Sequence, residues 1–234
     1  LEHILLRPDT YVGSCEKAEE MAWVYDAASN KLVQKTVAFT PGLYKIFDEI
    51  LVNATDNKVR DPTMKELRVD IDKVKGTISV MNGGKGIPVE MHKEDGVYVP
   101  GLIFGRLLTS SNYNDNEKKV TGGRNGYGAK LANIFSQELI VETCDGSRER
   151  QYKQVFKNNM SEKGEPIITK CKKSDNWTRI TFKPDFEKFG MTELEDDSIA
   201  LMSKRVYDSA GIIGKNTKIF LNGEQIKVKS FSDS

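Results

Sequence analysis

The chain is poor in the residues that build metal centres and disulfide frameworks. Its 234 residues include three cysteines and two histidines. Cys15, Cys144 and Cys171 are far apart and form no C-x-x-C pair, and His3 and His92 stand at no metal-ligand spacing from them. This pattern predicts neither a zinc site nor a disulfide framework. It agrees with a reducing compartment.

An excess of charge and long apolar runs are also absent. The chain has 35 Lys and Arg residues against 34 Asp and Glu, a formal net charge of +1. A dedicated DNA-binding module would need a basic excess. The short basic segments 170–173 and 204–205 contain no aromatic residues that could stack on bases, so we predict solvated faces there. No apolar run approaches the length that spans a bilayer, and we expect no membrane partner.

What the sequence does contain begins with an apolar helix that has polar side chains along one flank. Apolar residues recur at helical spacing from 43 to 54, while Glu49, Asn53 and Asp56 follow at i, i+4 and i+7 on the neighbouring stripe. A glutamate at the edge of a buried face can take a proton from water, and an amide oxygen one turn further can ligate Mg²⁺. The segment predicts metal-assisted phosphate chemistry. Taken alone, it is also compatible with a surface helix that has a polar flank.

A second segment, 121–130, is rich in glycine and runs into an apolar helix. Its glycines leave backbone amides open to an anion at the helix N-terminus, and Arg124 and Lys130 are available for phosphate oxygens. It is not a Walker A loop, because Ala129 precedes the lysine and Leu131 stands where Ser or Thr would hold magnesium. The glycine order also differs from the dinucleotide fingerprint. We predict a phosphate loop, with a flexible surface loop as the alternative.

A third segment joins a β-branched run, 77–80, to the turn residues Asn82-Gly83-Gly84-Lys85-Gly86. The Asn82 side chain, at the end of the predicted strand, can both donate and accept hydrogen bonds. The glycines that follow let the backbone approach a planar ring closely. By itself this pattern is typical of an ordinary turn, and it gains meaning only beside the other two segments.

The order of these three segments resembles that of the GHKL ATPase superfamily: Glu49-x-x-x-Asn53, then Asn82-x-Gly-x-Gly86, then a glycine-rich lid that ends in Lys130. Within that superfamily, three stretches look like the ATPase domain of eukaryotic-type DNA topoisomerase II. They are LEHILLRPDTYVGS at 1–14, EILVNATDN at 49–57 and TSSNYNDNEKKVTGGRNGYGAKL at 109–131. Most superfamily members have an aspartate where this chain has Asn82, and the asparagine is typical of the topoisomerase II branch. The resemblance covers essentially the whole chain.

The resemblance implies a role for each matching position. Glu49 matches the general base that activates the hydrolytic water, Asn53 the magnesium ligand, and Asn82 the residue that helps to recognise the adenine amino group. Asp56 and Asn57 match positions that orient the groups in contact with ATP. Residues that match contacts to the ribose and phosphates are Ser110, Ser111 and Asn112. The lid that wraps the phosphates corresponds to Gly123, Arg124, Asn125, Gly126, Tyr127, Gly128, Ala129 and Lys130.

The implied function is that of the ATP-binding and ATP-hydrolysing N-terminal domain of a type IIA DNA topoisomerase, which drives an ATP-operated clamp during DNA strand passage. The implied cofactors are ATP and Mg²⁺. The full-length protein would be a homodimer that engages DNA through other domains, in the nucleus or in an organelle. A catalytically silent GHKL interaction domain is the alternative, although such a domain would not need a carboxylate at Glu49.

We expect residues 1–234 to form a single ATPase domain, a fragment without the family's N-terminal arm, transducer domain and DNA-cleavage core. Such a fragment would have weak ATPase activity and no DNA cleavage. Strand signals follow one another without crossover helices, which predicts an α+β two-layer sandwich: a mixed, mostly antiparallel sheet backed by helices.

Local patterns predict several individual elements. Segments 23–26 and 35–39 are expected to pair as a hairpin, and Asn222-Gly223 to form the turn of another. Segment 100–108 is expected to be helical. Near the end of the chain, Asp197 or Ser198 is predicted to cap a helix that runs to Gly211. Further strands are predicted at 67–71, 77–81, 138–144, 151–156 and 177–182, and Cys144 is expected to be a buried small hydrophobe.

Overall fold

The structure is a computed structural model that describes residues 1–107 and 126–227. The helices in these ranges are α1 (Glu2–Leu6), α2 (Pro8–Val12), α3 (Pro41–Arg60), α4 (Val99–Gly105), α5 (Gly126–Ile134) and α6 (Asp196–Ile213). The strands are β1 (Ala18–Asp26), β2 (Lys31–Phe39), β3 (Glu66–Asp72), β4 (Thr77–Gly83), β5 (Ser136–Asp145), β6 (Arg150–Lys157), β7 (Glu162–Lys163), β8 (Ile167–Lys170), β9 (Trp177–Pro184), β10 (Lys218–Leu221) and β11 (Glu224–Ile226).

Nine strands form one open sheet in the order β11-β10-β3-β4-β9-β5-β6-β7, with β8 also paired to β6. β10 and β3 run parallel, and the other described pairs are antiparallel. Burial alternates along β3, where Leu67, Val69 and Ile71 are buried while Asp70 is exposed. The sheet therefore has one face turned to the core, and α3, α5 and α6 contact its strands. The predicted two-layer α+β sandwich is confirmed.

The long helix α3 crosses the middle of the sheet and positions the predicted catalytic flank. Pro41 stands in its first turn, where a fixed φ suits helix initiation and no amide bond is lost. The predicted apolar stripe is buried in full: Leu43, Ile46, Phe47, Ile50, Leu51 and Ala54 are at most 5% exposed. Glu49, Asn53 and Asp56 are only partly buried. The polar flank thus lies at the rim of the core, next to open space.

Both predicted hairpins are observed, but the predicted pairing of segments 23–26 and 35–39 with each other is wrong. Segment 23–26 pairs with 31–34, and segment 35–39 pairs with 18–22, because β1 and β2 extend beyond the apolar runs that indicated them. β1 and β2 pair along their full length, from Ala18 with Phe39 to Asp26 with Lys31. β10 and β11 pair around Asn222 and Gly223, whose φ angles are +51° and +84°. Positive φ at both central residues is the geometry of a type I′ turn, for which Asn-Gly is the preferred pair. Cys144 is 1% exposed, as predicted.

The start and end of α6 differ from the prediction. The helix begins at Asp196 after Glu195 and continues past Gly211 to Ile213, so the predicted cap and end are wrong. Asp197 does not cap the helix because its carboxylate accepts the Ala38 amide at 2.9 Å and so ties β2 to α6. A helical glycine lowers helix stability by only about 1 kcal/mol, too little to end a well-packed helix. The predicted helix 100–108 is observed as α4, but it ends at Gly105, and positions 106 and 107 are not helical. Position 108 lies outside the described residues.

Candidate functional site

The Glu49 carboxylate lies where α3 meets the first turn of α5. Its side chain is 23% exposed, and Lys45, one turn earlier, places Nζ 2.7 Å from Oε1. The other oxygen faces α5: a Cβ added to Gly128 would lie 1.9 Å from Oε2. A side chain at position 128 would therefore have to displace the Glu49 carboxylate, and glycine avoids this. The fold thus brings the predicted base and the predicted lid into direct contact.

A pocket opens beside this contact, between α3, α4 and the ends of β4 and β9. It encloses about 600 Å³, part of which is open to solvent. Asn53 lines it from α3 and Asn82 from the end of β4. The remaining lining residues are Ile50, Ala54, Asn57, Arg60, Val80, Lys85, Gly86, Ile87, Ile103, Phe104, Thr178 and Ile180. This mixture of flat apolar walls and a few amides suits a planar heterocycle with polar edges.

Two asparagines converge on one backbone carbonyl at the pocket wall. Asn82, 6% exposed, donates from Nδ2 to the Gly83 carbonyl at 3.2 Å, and Asn57, 3% exposed, donates to the same oxygen at 3.4 Å. Since Asn57 lies on α3, its amide ties that helix to the turn after β4. This is where a residue that orients Asn82 would stand, and its role remains a prediction. Asp56 acts electrostatically on Arg60, another residue of the pocket wall.

The conformation of the turn after Asn82 is fixed by its glycines and by hydrogen bonds to Asp61. Gly84 has φ of +91°, which favours glycine, and a Cβ on Gly86 would lie 2.3 Å from the Cys144 carbonyl oxygen. The Asp61 carboxylate accepts the Lys85 amide at 2.7 Å and the Thr63 hydroxyl at 2.5 Å. These hydrogen bonds hold the pKa of Asp61 below its ordinary value, and the bond from Thr63 has the largest effect.

A threonine pair that the sequence analysis missed supports the same turn from the sheet. The Thr143 hydroxyl is fully buried, accepts the Ile87 amide at 3.2 Å and donates to the Trp177 carbonyl at 3.1 Å. It also lies 2.8 Å from the hydroxyl of Thr178, which lines the pocket. In the sequence, both threonines look like ordinary strand residues. The available signal was a hydroxyl at a position that the alternation of strand 138–144 predicts to be buried.

The described part of the predicted lid is α5. It begins at Gly126, and Ala129 and Lys130 within it are both 0% exposed. Tyr127 stacks on Tyr11 with ring centroids 6.1 Å apart, so α5 also contacts the opening segment of the chain. The predicted ATP contacts outside the described residues are Ser110, Ser111, Asn112, Gly123, Arg124 and Asn125.

The predicted magnesium site depends on Asn53. Within residues 1–107 and 126–227 no group of three or more His, Cys, Asp and Glu side chains could hold a metal ion. Magnesium often has only one or two protein ligands, the others being water and substrate phosphate oxygens. An amide oxygen on the pocket wall therefore fits a nucleotide-bound magnesium ion.

Among residues 1–107 and 126–227, no helix is both long and apolar enough to cross a membrane.

Comparison with known proteins relates this geometry to a family. Residues 40–188 match the family described as "Histidine kinase-, DNA gyrase B-, and HSP90-like ATPase". The chain is 65% identical over 233 residues to DNA topoisomerase 2 of Arabidopsis thaliana, a match that covers 100% of this chain and 16% of that protein. The chain thus spans about one sixth of the length of this curated relative.

Solved structures show the same fold. The crystal structure of the ATPase region of Saccharomyces cerevisiae topoisomerase II matches with a TM-score of 0.89 and 53% identity, over 99% of this chain and 61% of that one. The 43K ATPase domain of Thermus thermophilus gyrase B matches with a TM-score of 0.67 and 21% identity, over 96% and 50% of the two chains, a likeness of fold alone. By the family match across most of its length, the chain belongs to the histidine kinase-, DNA gyrase B- and HSP90-like ATPases.

Proposed function

We propose that this chain binds ATP with Mg²⁺ and hydrolyses the terminal phosphate, as the ATPase module of a type II DNA topoisomerase. One observation carries the proposal: the Glu49 carboxylate packs against Gly128 at the start of the lid helix, beside a pocket lined by Asn53 and Asn82. The similarity to topoisomerase II ATPase regions supports the same conclusion.

In this proposal the adenine ring occupies the apolar part of the pocket. Ile87 and Ile180 offer flat apolar surface, while Asn82 and Thr178 offer polar groups to the ring edge. Asn57 keeps the turn after Asn82 in place through the shared Gly83 carbonyl. Recognition of adenine therefore depends on a pocket wall that is already formed, and its side chains rearrange little when the nucleotide binds.

The phosphates extend from this pocket toward α5. The N-terminus of α5 presents backbone amides and the positive end of the helix dipole, both favourable to phosphate oxygens. Asn53 supplies an oxygen ligand for Mg²⁺, which when bound neutralises phosphate charge and lowers the barrier to phosphoryl transfer. Phosphoryl transfer to water needs positioning and charge stabilisation more than covalent chemistry, and these polar groups provide both.

Glu49 is the general base of the proposed reaction. Lys45 engages Oε1 and so fixes the orientation of the carboxylate, while Oε2 points to the start of α5. A water between Oε2 and the terminal phosphate would give its proton to Glu49 as it attacks. Because the carboxylate contacts α5 directly, any displacement of the lid helix moves the base.

At the level of the whole protein, we propose that ATP turnover by this domain operates the clamp of a homodimeric type II topoisomerase. DNA would be engaged by other domains, in agreement with the near-neutral charge of this one. Residues 1–234 are proposed to form a single ATPase domain of that larger protein, with the nucleus as its location.

The first test measures binding of a non-hydrolysable ATP analogue by titration calorimetry, with magnesium and with EDTA. We expect saturable binding that weakens without metal. Asn53→Ala should weaken binding in magnesium and lose most of the metal dependence, whereas Asn53→Asp, which keeps an oxygen ligand, should retain it. Metal-independent binding that Asn53→Ala leaves unchanged would contradict the assigned metal role.

The second test separates an ATPase from a silent nucleotide-binding domain. Glu49→Gln preserves the size of the side chain but removes the base, so phosphate release should fall by roughly 10²–10⁴-fold while analogue binding persists. Glu20→Gln, at an exposed position of β1, is the matched control and should leave both unchanged. A wild-type chain that binds ATP with no phosphate release above the Glu49→Gln background would favour the silent domain.

A further inference from the structure

Two thiols lie together at the end of β5, next to the threonine that supports the pocket. Cys144 is 1% exposed, and Cys171 is half-buried just after β8. The Cys171 amide donates to the Glu149 carbonyl at 3.2 Å, and its Sγ lies 3.9 Å from the carbonyl oxygen of Asp145, the residue after Cys144. Both thiols are free, and the neighbouring Cys171 contributes, after burial, to the raised pKa of Cys144.

The segment 171–176 is packed tightly against this corner. A Cβ added to Gly146 would lie 2.3 Å from the Lys173 carbonyl oxygen and 2.8 Å from that of Asp175. The Gly146 amide also donates to the Asn176 side chain at 3.0 Å. The segment that begins with Cys171 is therefore held against the end of β5, where Cys144 lies.

We propose that Cys144 and Cys171 form a redox-active pair that a peroxide converts to a disulfide, and that this disulfide weakens nucleotide binding. The second half of the proposal rests on the proposed ATP-binding function. The pair escapes a search for sequence motifs because 26 residues separate the cysteines and only the sheet brings them together.

The chemistry proceeds in two balanced steps. The more exposed Cys171 attacks the peroxide as a thiolate, the O–O bond breaks, and a sulfenic acid and hydroxide form. The Cys144 sulfur then attacks the sulfenic sulfur, the S–O bond breaks, and the departing hydroxide leaves as water with the Cys144 proton. Two thiols lose two electrons in all, and the peroxide is reduced. Burial, with the adjacent Cys171, raises the pKa of Cys144 to about 12, so Cys144 is the second thiol to react.

The disulfide would act on the pocket through three short connections. A disulfide holds its sulfurs about 2.05 Å apart, closer than two sulfur atoms without a bond can approach, so the corner must contract. The Cys144 carbonyl sits directly against Gly86 in the turn after Asn82. Thr143, the preceding residue, bonds to Thr178 on the pocket wall. Contraction at Cys144 therefore displaces groups on two sides of the nucleotide pocket.

The first test maps the bond. The 234-residue chain is treated with hydrogen peroxide under native conditions, and its thiols are then counted after denaturation and its peptides analysed without reduction. We expect two of three thiols to be lost, a linked Cys144–Cys171 peptide, and recovery with dithiothreitol. Cys15→Ser should behave like wild type in forming the link, and Cys171→Ser should not form it. Peroxide treatment that yields only higher oxides of Cys171 or links between chains would overturn the proposal.

The second test measures binding of the non-hydrolysable ATP analogue to reduced and oxidised chains. We expect at least about a fivefold weaker affinity after oxidation, restored by dithiothreitol, and no change for peroxide-treated Cys171→Ser. A reduced chain that fails to bind would refute the proposed function while leaving the mapped disulfide intact. A disulfide that forms without changing the affinity would overturn the second half of this inference.

Discussion

At the scale of single residues, the contact between Gly128 and Glu49 is the most demanding feature of the site. Sequence patterns identified both residues separately, the first as part of a glycine-rich lid and the second as a base on a helical flank. Their contact joins positions 79 residues apart and could not be read from either pattern. It arises because α5 packs across α3 with no side chain between the helix and the carboxylate.

Gly128→Ala should therefore impair hydrolysis more than folding. The new methyl would have to push the Glu49 carboxylate aside, and displacement of a catalytic group by about 1 Å can cost roughly 100-fold in rate. Gly211→Ala is the matched control, since it is also a helical glycine but has no atom within 4 Å of its added Cβ. We expect the control to keep full activity and to gain up to about 1 kcal/mol of stability. Steady-state phosphate release and urea unfolding measure the two effects.

Thr143→Val should loosen the pocket without changing its shape. Valine replaces the hydroxyl with a methyl group and leaves the partly buried Ile87 amide without its acceptor, which costs about 1 kcal/mol. We expect lower unfolding stability and weaker binding of the ATP analogue. Thr36→Val, at an exposed position of β2, should change neither. An unaltered affinity with reduced stability would show that Thr143 supports the fold but not the site.

At the scale of elements, the turn after β4 depends on the Asp61 carboxylate. Hydrogen bonds from Thr63 and Lys85 lower the pKa of Asp61, so the folded state stabilises its ionised form. A depressed folded-state pKa means that this stabilisation is present above the unfolded value, about 3.9, and is lost as pH falls through the folded value.

Asp61→Asn should accordingly be less stable than wild type at pH 7, and the difference should shrink as pH falls below about 4. Urea unfolding at several pH values measures it. Asp70→Asn, at an exposed position of β3, controls for the loss of one negative charge. A difference that stays constant down to pH 2.5 would contradict the role given to ionised Asp61.

Elements with a strong local pattern were predicted well. The apolar stripe of α3 and the Asn-Gly turn of the last hairpin carry their own periodicity or turn chemistry. The start of α6 was misplaced because a capping residue is recognised by type alone, and Asp197 has a tertiary partner in Ala38 that competes for its carboxylate. The nine-strand order, with β9 between β4 and β5, depends on contacts that no local window contains.

At the scale of the whole molecule, the described residues form one large hydrophobic core and a small satellite cluster. The large core includes Phe47 and Phe135, both fully buried, and joins α3 and α5 to the sheet. The satellite consists of Val24, Val37 and Phe39 beneath the β1–β2 hairpin, packed against α6. The hairpin is a separate two-stranded sheet, so it depends on this small contact.

A mutation in the large core should destabilise the whole domain, whereas a mutation in the satellite cluster should destabilise mainly the hairpin. Phe135→Ala should destabilise the whole domain by about 3–5 kcal/mol, because it opens a cavity in the large core. Val24→Ala removes less surface from the satellite and should raise amide exchange in residues 18–39 well before it shifts global unfolding. Hydrogen exchange with urea denaturation compares the two. Equal protection of the hairpin in both variants would show that it unfolds only with the core.

The sequence alone determined the fold class. It also predicted which residues act as the base and the magnesium ligand, and which segments surround a nucleotide. These depend on local features: helical periodicity, glycine clusters, turn residues and their order along the chain. Only the tertiary structure decided that Gly128 packs against the Glu49 carboxylate, that Thr143 and Thr178 hydrogen-bond beside the pocket, and that Cys171 lies next to the end of β5 where Cys144 stands. Each is a contact between distant segments, and its position is set by the packing of helices on the sheet, which no single stretch of sequence encodes.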